Sequence, residues 1–499
     1  MILGDILADS ERAAAGDSPT LDDLFRRAGV RHPDAIALVD PDNRQSFTDG
    51  APRTLTYAQA DRAIGAFAAR LRGLGLATDT AVALQLPNTI DGIIALLGTM
   101  RARMIAAPVP LLWRQQETID ALGRIGAKAI VTAARIGSVA HGDLAMQVAA
   151  ELFPIRFVCA FGERLPDGVV PLDDIFGPDA EDAIAAEPRL GAASAHLAMV
   201  TFDMGAEGLV PVARSHAQLL AGGLAVHAAA QAPLDAPLLS AIPPSSFAGI
   251  ALTLVPWLLS GGTLNLHHAF DPAAFAAQCH RQDGGTVVLP GPALAAIAAA
   301  GCLGDATKTV TALWRSPERM AASAAWRGSV TLIDVAAFGE IGLFAAPRDA
   351  GHAAPVPNGA AGGLETLRTA NGLLALRGAM VPTHVFPPGA DSDHEPHLKA
   401  DAAGFVESGF GCQRDGDGLA ITGARGGITT IGGYRFRQRD VDAQVAAIDP
   451  AATIIALPDA LLGQKLAGGG PDPGAIAAQL ASSGANALVA GAFRPRKAA

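Results

Sequence analysis

Cysteine is scarce in this sequence of 499 residues, which contains only four. Cys159, Cys279, Cys302 and Cys412 lie far apart, and no two of them form a Cys-x-x-Cys pair. The sequence therefore gives no support to a zinc site or a dithiol redox motif. Cysteines that are few and unpatterned are typical of a reducing compartment, so we expect a cytoplasmic location.

Positive charge is also in short supply, because 37 Lys and Arg stand against 48 Asp and Glu. The net charge of −11 and the lack of any stretch dense in Lys or Arg argue against a nucleic-acid surface. An anionic ligand would need a local cluster of cations that departs from this overall charge.

Long apolar stretches are missing as well. The longest, such as residues 249–259, are shorter than the roughly 20 residues that a membrane helix needs. The N-terminus carries Asp5 and no basic segment followed by a long apolar one, so we predict neither a signal peptide nor a membrane span.

Hydrophobic residues make up 50% of the chain and charged residues 17%, which predicts a large core. At roughly 150 residues per domain, the length predicts about two to four structural units.

Short apolar runs alternate with helical patterns in the first part of the chain. Residues 55–75 indicate a short extended piece followed by a helix, because apolar residues recur there at helical spacing. Residues 81–87, 104–110 and 127–133 are apolar runs typical of buried strands. Strands that alternate with helices of about 10–15 residues predict parallel sheets built from βαβ units.

The same alternation returns after residue 195. Residues 195–202 indicate a strand that enters a glycine-containing turn, and residues 215–231 indicate a helix rich in Ala and Leu. Residues 238–244, 262–267 and 286–291 are further strand patterns with helical segments between them. The sequence therefore predicts a second sheet of the same kind.

The pattern changes after about residue 370. Residues 372–378 and 418–423 are short strand patterns, which predict a β-rich subdomain. Residues 426–433 are dense in glycine, and a short final unit follows. We predict an α/β fold with a large N-terminal domain, residues 1–423, and a small, shortened α+β domain, residues 424–499.

Several separated blocks of text resemble the adenylate-forming superfamily of acyl- and aryl-CoA synthetases, peptide-synthetase adenylation domains and luciferases. The blocks begin LTYAQADRAIGAFAARLRGLG, continue with RSHAQLL and end with GFVESGFGCQRDGDGLAITGARGGITTIGGYRFRQRDVDA. The resemblance covers about residues 20–465. It implies a reaction in which a carboxylate attacks the α-phosphate of ATP and a thiol, usually coenzyme A, then displaces AMP. It also implies ATP, Mg²⁺ and coenzyme A as cofactors and a small carboxylic acid as the partner.

The resemblance implies a phosphate-binding loop at residues 201–216, TFDMGAEGLVPVARSH. In the family this loop is rich in Ser, Thr and Gly and ends in Lys, because N–H groups, hydroxyls and an ammonium group neutralise phosphate oxygens. Gly205, Gly208 and Pro211 keep matching positions, and the resemblance implies that Thr201, Gly205 and Gly208 contact the cofactor.

The same loop departs from the family in its charge. Asp203 lies in the former hydroxyl run, and Val212 replaces the Lys. Asp203 and Glu207 bring negative charge to a place where a tetra-anion would bind, and at an effective dielectric of about 20 each close pair opposes binding by about a few kcal/mol. Arg214 is the candidate replacement for the Lys and a predicted catalytic residue. The alternative is a strand–turn–helix junction that binds no ligand.

Another family position lies in VAAFGEIGL, residues 335–343. Glu340 falls where the family has a Glu that binds Mg²⁺ with ATP, and a carboxylate suits that ion. We therefore predict Glu340 as a catalytic residue and the metal ligand, Gly339 beside the cofactor and Phe338 in the acid pocket. The alternative is an ordinary loop acid.

The ribose position and the C-terminal positions also differ from the family. Phe410 replaces the Asp that accepts both ribose hydroxyls, and losing such a charged hydrogen bond costs about 1.5–3 kcal/mol. Arg425 is a shifted candidate for the hinge cation and a predicted cofactor-binding residue. The family's catalytic Lys has no matching context here, which leaves Lys465 and Lys497 as candidates.

The acid pocket is predicted from residues 243–249, PPSSFAG. Ser246 stands at the usual His position of the family and Phe247 lies beside it. His216 and His227 lie on the preceding helix, where a lone His is more often a core or surface residue than a catalytic one.

Two functions remain open from the sequence. One is an AMP-forming acid–thiol ligase with a divergent site. The other is a catalytically inactive relative that keeps the fold and binds an acyl or aryl ligand or a protein partner.

Overall fold

The computed structural model describes residues 18–177, 189–282, 284–323, 325–326, 328–348, 351–387, 398–459 and 461–493. The described strands are, in chain order, β1 (Ile36–Val39), β2 (Thr54–Thr56), β3 (Ala81–Gln85), β4 (Ile105–Pro108), β5 (Ala129–Ala133), β6 (Phe157–Phe161), β7 (Val170–Pro171), β8 (Leu197–Met204), β9 (Leu209–Ser215), β10 (Leu238–Ser240), β11 (Leu264–Leu266), β12 (Thr286–Pro290), β13 (Thr309–Trp314), β14 (Thr331–Phe338), β15 (Gly342–Pro347), β16 (Val356–Pro357), β17 (Gly359–Ala361), β18 (Leu364–Arg368), β19 (Leu373–Gly378), β20 (Val406–Asp415), β21 (Gly418–Ala424), β22 (Ile428–Ile431), β23 (Tyr434–Arg437), β24 (Thr453–Asp459) and β25 (Gly463–Gly469).

The described helices are α1 (Leu21–Arg31), α2 (Arg44–Phe47), α3 (Tyr57–Gly73), α4 (Ile90–Arg101), α5 (Gln115–Ile125), α6 (His141–Glu151), α7 (His216–Ala230), α8 (Phe247–Gly249), α9 (Val255–Ser260), α10 (Pro272–Arg281), α11 (Leu294–Ala299), α12 (Glu318–Ala321), α13 (Gln438–Ile448), α14 (Pro473–Ser482) and α15 (Ala487–Gly491). A π-helical turn, Ile250–Leu254, joins α8 to α9. Pro256 follows that turn and has no N–H to donate, which weakens regular helical pairing there.

Two sheets that are mostly parallel form the large part of the molecule. The first sheet has the strand order β15-β14-β13-β12-β10-β11-β1-β2 and the second β7-β6-β5-β3-β4-β8-β9. Every residue of β3 and β5 is buried, as expected for strands that helices cover on both faces. The predicted α/β fold, with two βαβ-type sheets, is confirmed.

Helix starts follow local sequence signals. Thr56 caps α3, because its hydroxyl accepts the N–H of Gln59 while the Gln59 side chain accepts the N–H of Thr56. Ser215 and Gln218 form the same reciprocal pair at the start of α7. These caps fix the points at which the chain leaves each sheet and turns into a helix.

A third sheet is antiparallel, with the order β16-β21-β20-β19-β18-β17, and is the predicted β-rich subdomain. After β21 ends at Ala424, two hairpins and three helices pack on an apolar core of their own, which includes Ile431, Val445, Leu480 and Phe493. The division into residues 1–423 and 424–499 stays a prediction.

A buried amide is one of the links between the first and second sheets. The Nδ2 of Asn88, just after β3, donates to the carbonyl of Ser240 at 3.0 Å and to that of His267 at 3.2 Å. The carboxyl ends of the parallel strands in both sheets therefore face one shared space, which is where open α/β sheets bind ligands.

Candidate functional site

A cleft of about 730 Å³ lies between the two parallel sheets, and residues 432–435 of the C-terminal part cover one side of it. Its apolar wall includes Phe47, Trp113, Phe202 and Phe270. The side chains in its lining that can bind polar groups include Arg114, Ser138, His141, Asp203, Ser245, Ser246, His268, Arg315, Glu340, Tyr434 and Arg435. The cleft has the size and mixed character of a small-molecule site.

The predicted phosphate loop is a tight antiparallel hairpin between β8 and β9. The N–H of Gly205 donates to the carbonyl of Gly208 at 2.8 Å, and the N–H of Gly208 donates to that of Gly205 at 3.2 Å. The hydroxyl of Thr201 is buried and donates to the carbonyl of Val212 at 3.4 Å. The N–H groups of Gly205 and Gly208 and the hydroxyl of Thr201 therefore already donate to acceptors within the hairpin. The sequence predicted a turn running into a helix and missed β9.

Asp203 connects this hairpin to two distant segments. Its Oδ2 accepts the N–H of Glu340 at 2.8 Å, and its Oδ1 accepts the N–H of Met204 at 2.8 Å and pairs with the guanidinium of Arg435. The Asp203 and Arg435 side chains are only 8% and 10% exposed, so the pair is largely desolvated. The negative charge of Asp203 is therefore neutralised inside the protein.

Gly339 makes this arrangement possible. Its φ of +60° lies in the left-handed region, and a Cβ there would overlap the Asp203 carboxylate. Gly339 thus lies directly against Asp203 and lines the cleft, as does its neighbour Glu340.

Glu340 is buried at the floor of the cleft. Its Oε2 accepts the N–H of Phe247 at 2.7 Å, and its Oε1 lies 4.0 Å from the Nη1 of Arg315. Burial raises the pKa of Glu340, while Arg315 and the bond from Phe247 oppose that rise. One carboxylate oxygen is therefore held by the chain, and the other faces a cation.

Arg214 is fully buried behind the cleft. Its Nη2 donates to the carbonyl of Ile341 at 3.1 Å and to that of Glu340, and its guanidinium lies 3.9 Å over the Phe247 ring. Burial lowers the pKa of Arg214 to about 10. In this position Arg214 supports the backbone of the Glu340 turn and is not among the described residues that line the cleft.

Phe410 and Phe338 fill the region where the family resemblance predicted ribose contacts and an acid pocket. Both side chains are buried, and their rings meet edge to face with centroids 6.2 Å apart. The guanidinium of Arg435 lies 5.1 Å from the Phe410 ring centroid. Phe338 is therefore a core residue here, and neither ring is among the described residues that line the cleft.

Ser246 lies at the cleft wall and holds Arg315. The Nη2 of Arg315 donates to the Ser246 hydroxyl oxygen at 2.6 Å, and that oxygen also accepts the N–H of Gly249 at 3.1 Å. Phe247, beside it, is wholly buried and contributes its N–H to Glu340 rather than its ring to the cleft.

Arg425 and Lys465 are not among the described residues that line the cleft. Arg425 is exposed and lines a second cavity of about 610 Å³, which also includes Gly205. Lys465 is 55% exposed and pairs with Asp459 at 3.1 Å. Lys497 lies outside the described residues.

Sequence reasoning missed Arg315, Arg435 and His141 as cleft residues. Arg435 stands in a block already matched to the family, and Arg315 directly follows β13 in the first sheet. A strand-end position was the available signal for Arg315, because the carboxyl ends of parallel strands line such clefts.

Metal sites and membrane spans have no counterpart in the described part of the chain. Within it, no group of three or more His, Cys, Asp or Glu side chains could hold a metal ion. Among the same residues, no helix combines the length and apolarity needed to cross a membrane.

Comparison with solved structures gives the same fold over nearly the whole chain. The apo structure of Mycobacterium smegmatis MbtA is 24% identical, with a TM-score of 0.64, and the match covers 96% of this chain and 92% of that one. The amide bond synthetase McbA from Marinactinospora thermotolerans is 17% identical, with a TM-score of 0.68, and the match covers 93% of this chain and 94% of that one.

Curated relatives match over shorter segments. A salicyl-AMP ligase / salicyl-S-ArCP synthetase of Mycobacterium tuberculosis is 30% identical over 164 residues, which are 32% of this chain and 27% of that protein. A 2-hydroxy-7-methoxy-5-methyl-1-naphthoate–CoA ligase of Streptomyces carzinostaticus is 29% identical over 222 residues, which are 43% of this chain and 38% of that protein. These matches thus span well under half of either relative.

The family model described as "AMP-binding enzyme" matches residues 25–324, which is more than half of the chain. That segment contains the first and second sheets up to β13, and with them most of the cleft. The chain belongs to the AMP-binding enzyme family, whose members are adenylate-forming enzymes.

Proposed function

We propose that this chain binds a small carboxylic acid in the cleft and has lost efficient adenylation of that acid. In this proposal the cleft keeps the acid-binding function of the family, whereas the part of the site that binds ATP in the family is altered. It rests above all on the Asp203–Arg435 ion pair, which occupies the hairpin position where the family binds phosphates.

The hairpin supports the loss of phosphate binding. The Gly205 and Gly208 N–H groups already bond to each other's carbonyls, so a phosphate would have to displace both bonds. It would also meet the Asp203 carboxylate, and drawing Arg435 to the ligand would leave that carboxylate without its cation. We infer that these residues fit the phosphates of ATP poorly.

The ribose position supports the same view. Phe410 is buried against Phe338 and offers no acceptor to a hydroxyl. A ribose there would leave its hydroxyls unpaired, which costs about 1–3 kcal/mol for each buried donor.

The acid-binding side rests on Arg315. Its side chain is 26% exposed and lines the cleft, where Ser246 holds it by a 2.6 Å hydrogen bond. The Glu340 carboxylate stays 4.0 Å away, so Arg315 keeps donors for a ligand carboxylate. The aromatic wall suits an aryl or acyl body, and the names of the two curated relatives describe enzymes of aryl acids.

A second candidate is an AMP-forming acid–CoA ligase with an altered site. The retained Glu340 favours it, because this carboxylate lies at the family's Mg²⁺ position and lines the cleft. In that case Mg²⁺ would be held by Glu340 and would supply charge neutralisation to the phosphates.

Isothermal titration separates the two candidates. We expect Mg-ATP to bind weakly or undetectably, while one or more acids in a panel of aryl and fatty acids bind, and pyrophosphate exchange stays at background. Tight Mg-ATP binding with exchange would overturn the proposal in favour of the ligase.

The role of Arg315 is tested in the same assay. Arg315→Gln should weaken acid binding about tenfold or more, because a charge-assisted bond worth about 1.5–3 kcal/mol is lost. Arg425→Gln, which removes an exposed cation outside the cleft, is the matched control and should bind acids as the unmodified protein does. Equal acid affinity in both variants would remove Arg315 from the site.

A further inference from the structure

His141 is a buried histidine that the proposed acid site does not yet use. It is the first residue of α6, follows β5 in the second sheet, and is only 1% exposed. Its ring nevertheless lines the cleft. A histidine that faces a cavity from within the core is positioned to bind what the cavity holds.

The hydrogen bonds of Gln85 fix the tautomer of this histidine. The Nε2 of Gln85 donates to the carbonyls of Pro110 at 3.1 Å and Trp113 at 3.4 Å, so its Oε1 is the amide's acceptor. That oxygen lies 3.2 Å from the Nδ1 of His141, which must therefore carry the proton and donate it.

The other ring nitrogen is left as an acceptor. Among the described residues, the Nε2 of His141 has no hydrogen-bond partner, and with the proton on Nδ1 it presents a lone pair. Burial lowers the pKa of His141 to about 4, and the nearby Arg114 cation acts in the same direction. The ring is thus neutral at physiological pH.

We propose that His141 Nε2 accepts a hydrogen bond from the ligand, so that the cleft selects carboxylic acids that also carry a hydroxyl or another neutral donor. This inference rests on the proposed acid-binding function and narrows the class of acid. A simple acid would leave the His141 lone pair unpaired, whereas a hydroxy acid satisfies it.

The positions of Arg315 and His141 support recognition of two groups on one ligand. Arg315 follows β13 of the first sheet, and His141 follows β5 of the second, so the two residues belong to facing walls of the same cleft. The lining of the cleft also includes the aromatic side chains of Phe47, Trp113 and Phe202. A ligand with a carboxylate, an aromatic body and a ring hydroxyl therefore finds a partner for each of these three parts in the lining of the cleft.

The first experiment uses the unmodified protein and matched ligands. Isothermal titration is run with benzoate and naphthoate, their positional hydroxy isomers, and the methyl ether of each isomer that binds best. We expect one isomer to bind about tenfold more tightly than its parent acid, as one well-placed hydrogen bond allows. The methyl ether should lose that advantage, because its oxygen has no proton to donate.

Variants then assign the preference to His141. His141→Phe should abolish the preference for the hydroxy acid while the parent acid binds within about twofold of the unmodified protein. His141→Gln, whose amide oxygen can still accept, should keep part of it. His227→Phe changes a histidine that is not among the described residues of the cleft lining and is the control, which should keep the preference in full.

The possible outcomes separate the hydroxyl preference from acid binding itself. Acids that bind without any hydroxyl preference, or a preference that survives His141→Phe, overturn the role of His141 and leave the proposed function intact. Failure of every acid to bind overturns both. If His141→Phe does not fold, the affinities of hydroxy acids, parent acids and methyl ethers for the unmodified protein decide whether the cleft prefers a donor.

Discussion

At the scale of single residues, Asp203 is the side chain on which the proposed loss of phosphate binding depends. It joins the β8–β9 hairpin, the Glu340 turn and Arg435 through one carboxylate. Breaking a buried ion pair by removing one partner costs about 3–5 kcal/mol, because the other charge is left uncompensated. The residue that argues against phosphate binding is therefore also a structural anchor.

A double-mutant cycle measures this anchor. Asp203→Asn and Arg435→Gln should each lower the free energy of unfolding by about 3 kcal/mol. Together they should cost less than the sum, with a coupling energy of about 1–3 kcal/mol in urea denaturation. The pair of the exposed Lys465 and the partly buried Asp459 is the control, and its coupling should stay below about 1 kcal/mol. Similar coupling in both pairs would contradict the burial argument.

Buried histidines should make the folded protein less stable at low pH. Burial lowers the pKa of His141 to about 4 and that of His216 to about 3, so the unfolded chain binds protons that the folded chain refuses. Stability should be unaffected above about pH 6.5 and should fall as the pH drops from there toward 4, by about 1.4 kcal/mol per pH unit for each histidine. His141→Gln should reduce that slope in urea denaturation, and an unchanged slope would contradict it.

At the scale of elements, the turn between β14 and β15 determines how closely the hairpin can approach. Gly339→Ala should destabilise the protein more than Gly427→Ala, although both glycines have positive φ. The added methyl at 339 overlaps Asp203, while at 427 it meets open space. The difference in free energy of unfolding should be about 1–3 kcal/mol, the usual cost of overpacking. Equal losses would show that backbone strain alone matters.

The sequence predicted elements well where local signals were strong. β3 and β5 are continuous apolar runs between turn signals, and the caps of α3 and α7 are visible in the sequence. It missed β9, whose sequence LVPVARS contains a proline and no clear alternation. That strand is defined by its pairing with β8 rather than by its own composition.

The site was predictable only in part, because its contacts join residues far apart in the chain. The sequence shows Asp203 as a negative charge, but its partner Arg435 lies 232 positions later. It predicts Arg214 as a phosphate-binding cation, and only the tertiary structure reveals the carbonyls of Glu340 and Ile341 around that guanidinium. The sequence gives the sign of a charged side chain, but only the tertiary structure shows which residue pairs with it.

At the scale of the whole molecule, a small number of polar contacts hold the C-terminal part over the cleft. Besides Arg435, Arg437 donates to the carbonyl of Glu207 at 2.6 Å, and the Nδ2 of Asn486 donates to Glu117 at 3.1 Å. The C-terminal part has its own apolar core, so these contacts rather than a shared core couple the two parts.

Calorimetry tests this coupling and the predicted boundary at residue 423 together. In Arg435→Ala/Arg437→Ala, the C-terminal part should unfold in a separate transition at lower temperature, because it loses both contacts to the hairpin. Asn486→Ala, which removes one bond between the two parts and the cap on the N–H of Leu488, should shift the profile less. A single transition in the double variant would indicate one cooperative unit.

The Asp203–Arg435 pair also constrains how such a chain can change over generations. Replacing either residue alone leaves the other as a buried charge without a partner. The tolerance of each residue to replacement therefore depends on the identity of the other. Removing the pair would therefore require two coordinated replacements, with a less stable intermediate between them. This epistasis tends to preserve the pair.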